Sequence, residues 1–81
     1  MPRVSKMDLV VTTIRHRINS GQWPRGMRIP STKELQELFT VSYGTLRPAL
    51  LLLKQEGLIY GVPGEGTYVR REEPNAERDG E

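Results

Sequence analysis

The stretch Phe39-Thr40-Val41-Ser42-Tyr43-Gly44-Thr45-Leu46-Arg47-Pro48-Ala49-Leu50 leaves this chain little choice of local structure. Ser42 is a good helix N-cap, because its hydroxyl can satisfy a free backbone N–H of the first turn. Behind it, Leu46, Leu50 and Leu53 recur at helical spacing and turn one face inward. Tyr43, Gly44, Thr45 and Arg47 stay on the exposed side of the first turns. Ahead of it, the apolar Phe39 and Val41 flank Thr40 in a turn. The stretch therefore reads as turn, cap and helix. The helix is expected to reach about Glu56 and stop at Gly57, with a kink at Pro48, whose missing N–H removes one backbone bond.

Upstream, Met7, Val11, Ile14 and Ile18 are spaced by four, three and four residues, one stripe of an amphipathic helix, with Val10 beside it. Ser5 is placed to cap this helix with Asp8 three residues on, and Gly21 to stop it. Residues 22–30 are punctuated by Pro24, Gly26 and Pro30 and cannot be helical. Trp23 reads as a core plug, with a stacking platform as the alternative; Arg28-Ile29 reads as a short edge strand. Ser31 and Glu34 then make a capping box for a short helix over 32–39 whose buried face is Leu35, Leu38 and Phe39. A short helix, a turn of about three residues and a second helix with polar chemistry on its first turn form a helix-turn-helix pattern. Downstream, 58–62 and 67–69 are strand-like around the turn Pro63-Gly64-Glu65-Gly66, a β-hairpin placed as a wing. The fold class that follows is mainly α with a small β-hairpin: three helices plus a wing.

Composition narrows the chemistry. With 81 residues the chain has room for one small core. It holds no cysteine and a single histidine, His16, so disulfides, thiolate sites and an all-protein zinc site are excluded. No nucleophile–base pair or metal cluster is apparent, so the reading is not an enzyme and no cofactor is called for. No apolar run approaches a membrane span and no signal-peptide core opens the chain, which points to the cytoplasm. Charge is unevenly divided: through Arg71 there are 11 Lys/Arg against 5 Asp/Glu, a balance of +6, whereas residues 72–81 carry −4. A basic body suits a polyanion partner, although an ordinary solvated surface explains the charge equally well. Residues 1–5 are expected to be a disordered end, 6–71 the folded domain, and 72–81 an acidic disordered tail or interdomain linker.

From about Val11 to Val69 the landmarks Gly21, Pro24, Gly26, Ile29-Pro30-Ser31, Glu34-Leu35, Phe39, Val41-Ser42, Thr45-Leu46-Arg47, Ala49-Leu50, Leu53, Glu56-Gly57-Leu58-Ile59 and Gly64-x-Gly66-Thr67-Tyr68-Val69 follow one another with consistent gaps. In this order they resemble the N-terminal DNA-binding domain of the GntR family of bacterial transcriptional regulators. The Ser-Tyr-Gly-Thr wording most resembles its HutC-like branch. The resemblance implies a winged helix-turn-helix that binds a palindromic double-stranded DNA operator as a homodimer, more often as repressor than activator. The third helix would enter the major groove and the wing tip the minor groove. It also implies a small-molecule effector bound by a C-terminal domain beyond this chain. By position it assigns DNA contact to Ser31 and Lys33 on the second helix, to Ser42, Tyr43, Gly44, Thr45 and Arg47 on the third, and to Gly64 and Gly66 in the wing.

Three positions depart from the family pattern. Lys33 replaces an arginine and loses its bidentate fork. Tyr43 replaces a frequent arginine, so a guanine-reading fork is absent there; a tyrosine reaches a phosphate or a thymine methyl instead. Glu65 stands where the wing tip is commonly basic, which implies a weak wing contact. Each assignment has a plainer alternative: a surface salt bridge for Arg47, a backbone hydrogen bond for Thr45, tolerance near a helix start for Gly44, and capping alone for Ser31 and Ser42, which is compatible with phosphate binding. Arg70 and Arg71 read as solvated linker charge, with an extension of the phosphate footprint as the alternative. Leu51 and Leu52 fall outside the minimal stripe, and Leu51 is a candidate partner contact. Two other functions share the pattern: a winged-helix module that contacts protein, and the DNA-binding fragment of an aminotransferase-fused regulator.

Overall fold

Each of the three helices begins at a serine. In the computed structural model, which describes residues 5–71, α1 is Lys6–Asn19, α2 is Thr32–Phe39 and α3 is Tyr43–Gln55. Ser5 Oγ accepts the Asp8 N–H at 3.0 Å and the Ser5 N–H donates to the Asp8 carboxylate at 3.4 Å, so an aspartate closes this capping box. Ser31 and Glu34 make the same exchange at 3.1 and 2.8 Å. Ser42 caps α3 through the Thr45 N–H at 3.3 Å. Gly21 (φ +85°) and Gly57 (φ +79°) end α1 and α3 in the left-handed region, where glycine has no Cβ penalty. Helix α3 runs through the exposed Pro48 as one element.

The turn between α2 and α3 is tighter. Thr40 adopts φ +55°, the left-handed conformation for a β-branched residue, and the Val41 N–H donates to the Gln36 carbonyl at 3.0 Å. After α3, β1 (Ile59–Val62) pairs antiparallel with β2 (Gly66–Val69) in the register Ile59↔Val69, Tyr60↔Tyr68, Gly61↔Thr67, Val62↔Gly66. The Glu65 N–H closes the turn on the Val62 carbonyl at 3.0 Å. Pro63 followed by Gly64 at φ +80° is the residue pattern of a type II turn. The expected edge strand is present: Arg28 bridges Tyr68, the Ile29 N–H donates to the Thr67 carbonyl at 2.9 Å and the Val69 N–H to the Met27 carbonyl at 2.8 Å. Strand β2 is therefore paired on both sides.

The core joins Val10, Val11 and Ile14 of α1 to Leu46, Ala49 and Leu53 of α3, closed by Leu35, Ile59, Val69, Ile29 and Trp23. Trp23 is 7% exposed, its backbone N–H donates to the Arg17 carbonyl at 2.8 Å and the Arg17 guanidinium lies 5.6 Å from its ring, so it is the core plug and not a stacking platform. Arg15 on α1 grips Glu56, the C-cap of α3, with two hydrogen bonds at 3.1 and 2.6 Å, and that hydrogen bonding raises the arginine's already high pKa.

Three packing expectations are corrected. Val10 is fully buried, not beside the stripe. Leu52 packs against the core, because α3 meets α1, α2 and β1 and buries a wider arc than one stripe. Leu38 is 51% exposed: α2 buries only Leu35, and nothing covers its flank at position 38. No helix of the described residues is long and apolar enough to cross a membrane. Ser5 belongs to α1 as its cap; the expected disordered end (otherwise 1–4) and acidic tail (72–81) lie outside the described residues.

Candidate nucleic-acid interface

Burial of Leu46, Ala49 and Leu53 sets the rotation of α3, and that rotation turns Tyr43, Gly44 and Arg47 outward. The two long side chains meet: Arg47 Nη1 donates to the Tyr43 hydroxyl at 3.2 Å, one helical turn apart. Thr45 is half-buried; besides the capping bond, its hydroxyl accepts from Ser42 Oγ at 3.4 Å. Its hydroxyl is thus engaged in the cap. A Cβ added at Gly44 would meet nothing nearer than Ser42 Oγ at 3.8 Å, so the protein's own packing does not require glycine there. Ser42, Tyr43, Gly44, Thr45 and Arg47 are brought together on the first two turns of one helix.

The second cluster lies where α2 begins. Ser31 and Lys33 are exposed, and hydrogen bonds from the Ser31 backbone and then its side chain, with help from the nearby Arg28 charge, hold the Glu34 carboxyl below its usual range. A cleft of about 190 Å³ separates Ser31 and Thr32 from Gly66 and Thr67 of β2, with Arg28 and Leu50 in its wall. Gly66 has φ +139°, and a Cβ on it would stand 2.8 Å from Arg28 Nε. That glycine is demanded by its backbone conformation, which L side chains rarely adopt, and the flexible end of the Arg28 side chain lies across it. Gly64, at the hairpin tip, has open space around it.

Two cations flank the hairpin that sequence reasoning did not select. Arg28 crosses Gly66 on one side, and Lys54 Nζ comes to 3.3 Å of the Cβ position of Gly61. Neither has a local signal, since each is placed by tertiary pairing: Arg28 through the third backbone strand, Lys54 by projecting from α3 onto β1. The wing-tip acid is tied back, because Glu65 Oε1 accepts from the Tyr68 hydroxyl at 3.3 Å. Tyr68 stacks on Tyr60 with centroids 5.9 Å apart, and the Arg70 guanidinium lies 5.7 Å from the Tyr60 ring, so Arg70 is packed on the hairpin and not simply solvated.

The resulting surface is rich in hydrogen-bond donors: the Arg47 guanidinium, the Lys33 ammonium, the Tyr43 phenol and the serine and threonine hydroxyls. Such a set matches phosphate oxygens and the acceptor edges of bases. Among the described residues no group of His, Cys, Asp and Glu could hold a metal ion.

Comparison with known proteins gives a consistent answer. Residues 6–69 match the family described as bacterial regulatory proteins, gntR family. The uncharacterized HTH-type transcriptional regulator YdfD of Bacillus subtilis is 39% identical over 69 residues, covering 85% of this chain and 14% of YdfD. The histidine utilization repressor of Klebsiella aerogenes is 42% identical over 62 residues, covering 76% of this chain and 26% of the repressor. This chain thus spans only a minor part of those curated relatives. The NTD of AraR, solved in complex with mutant ORR3, superposes with a TM-score of 0.81 at 36% identity, covering 85% of this chain and 99% of that one. The fold is accordingly the winged helix-turn-helix of these domains.

Proposed function

The chain belongs to the gntR family of bacterial regulatory proteins, and from that premise we propose that it is a sequence-specific DNA-binding transcription regulator acting as a repressor. One observation carries the reading: the reading turn of α3 faces outward with its donors unburied, on a fold that AraR uses in complex with operator ORX1. Helix α3 enters the major groove with Ser42, Tyr43, Gly44, Thr45 and Arg47 on its leading turns. Ser31 and Lys33 hold phosphates at the start of α2. The wing, shaped by Gly64 and Gly66, lies along the minor groove. Two copies bind a palindromic operator and occlude a promoter. A small-molecule effector acts through a region beyond this chain, which spans 14% and 26% of two relatives. Neutralised phosphates supply most of the affinity, which therefore falls steeply with salt.

Arg47 carries the base reading. Selection of bound sites from random duplex DNA is expected to return a two-fold symmetric sequence whose half-site spacing reports the dimer. On that sequence Arg47→Ala costs about 1–3 kcal/mol and relaxes preference at one base pair. Wild-type affinity and preference in that variant would overturn the assignment. Failure to retain any duplex across a range of salt would instead favour a protein-contacting module.

A further inference from the structure

The Tyr43 hydroxyl does not point free into solvent: it accepts a hydrogen bond from Arg47 Nη1 at 3.2 Å. Among the described residues no carboxylate pairs with Arg47. We infer that Tyr43 is the positioning residue for Arg47, holding its guanidinium in one orientation so that a single fork does the guanine reading on this helix.

The chemistry is specific. A guanidinium has five N–H donors, and the tyrosine oxygen takes one of those on Nη1. The edge formed by Nε and Nη2 is left whole, and two parallel donors on that edge match O6 and N7 of guanine. A free arginine must give up rotamer freedom to present that fork, and a tethered one has already given it up. The tyrosine oxygen accepts from Arg47, so its own O–H remains a donor beside the fork. Both side chains are exposed and 49% of Tyr43 remains accessible, so the tether adds little to folding and its effect belongs to binding.

This inference rests on Arg47 reading a base, and the experiment separates the two. Wild type, Tyr43→Phe, Arg47→Ala and the double variant are titrated, as the whole 81-residue chain, against the selected duplex and against one with the contacted guanine replaced, at salt low enough to keep all four bound. Tyr43→Phe is expected to weaken the selected duplex about 3- to 10-fold, the size of one net hydrogen bond, and to narrow the preference for guanine. In the Arg47→Ala background the same change should have no effect, and thermal unfolding should match wild type throughout. Equal losses in both backgrounds would show that Tyr43 contacts DNA independently, and no loss in either would show that the tether is idle; each overturns the inference while leaving Arg47 as reader. If Arg47→Ala itself retains full guanine preference, the reading and the inference fall together.

Discussion

At the scale of single residues, the candidate interface divides by what the protein itself demands. Ser31, Ser42 and Gly66 are required by the fold, as two caps and as a glycine at φ +139° under Arg28. Gly44 is not: an alanine Cβ there would lie in ordinary contact with Ser42 Oγ at 3.8 Å. Alanine is also the better helix former by up to about 1 kcal/mol. Gly44→Ala is therefore expected to leave the unfolding midpoint unchanged or raise it, while binding to the selected duplex weakens because the added methyl separates backbone from DNA. Retained affinity in a chemical-denaturation-matched sample would show that the backbone makes no close approach. The sequence placed Ser42, Tyr43, Gly44, Thr45 and Arg47 on the first turns of α3, since caps and periodicity are local. It missed the Tyr43–Arg47 hydrogen bond as a function, although the i, i+4 spacing was in view.

At the scale of elements, the weak point is the turn between α2 and α3. Thr40 occupies the left-handed region at φ +55°, which costs an L-residue about 1–2 kcal/mol and suits asparagine or glycine far better. The turn tolerates this because Leu35 and Leu46 are both fully buried and fix the two helices on either side. Thr40→Asn is expected to stabilise the domain by about 1 kcal/mol, read as a higher urea midpoint at unchanged slope. A lower midpoint would mean that the threonine methyl contributes packing that outweighs the backbone strain. Helix starts, stops and the wing turn were legible because each is set by a side chain within three residues. The third strand pairing with β2 was legible only as two residues of suitable type, because its hydrogen bonds join residues about forty positions apart.

For the molecule as a whole, the exposed leucines set the remaining question. Leu51 is 43% exposed on α3, away from the core. Under the proposed binding of two copies to a palindrome, Leu51 is a candidate contact with a partner. Leu51→Lys is expected to leave thermal unfolding intact, to leave affinity for a single half-site unchanged, and to weaken binding to the palindrome by about 1–2 kcal/mol. Equal affinity for the palindrome in the variant would remove Leu51 from the assembly.

Sequence alone determined the number and type of elements, their caps and stops, the wing turn and the outward polarity of the third helix. All of these depend on interactions between neighbours in the chain, where residue type and spacing suffice. Tertiary structure decided which leucines are core: Leu52 joined it and Leu38 did not, because burial depends on what packs across the gap. It also laid Arg28 and Lys54 against the hairpin, and tied Glu65 back through Tyr68. The helix that begins at Ser42 was legible from its first residues; what its long side chains touch was settled only when α1, α2 and β1 fixed its rotation.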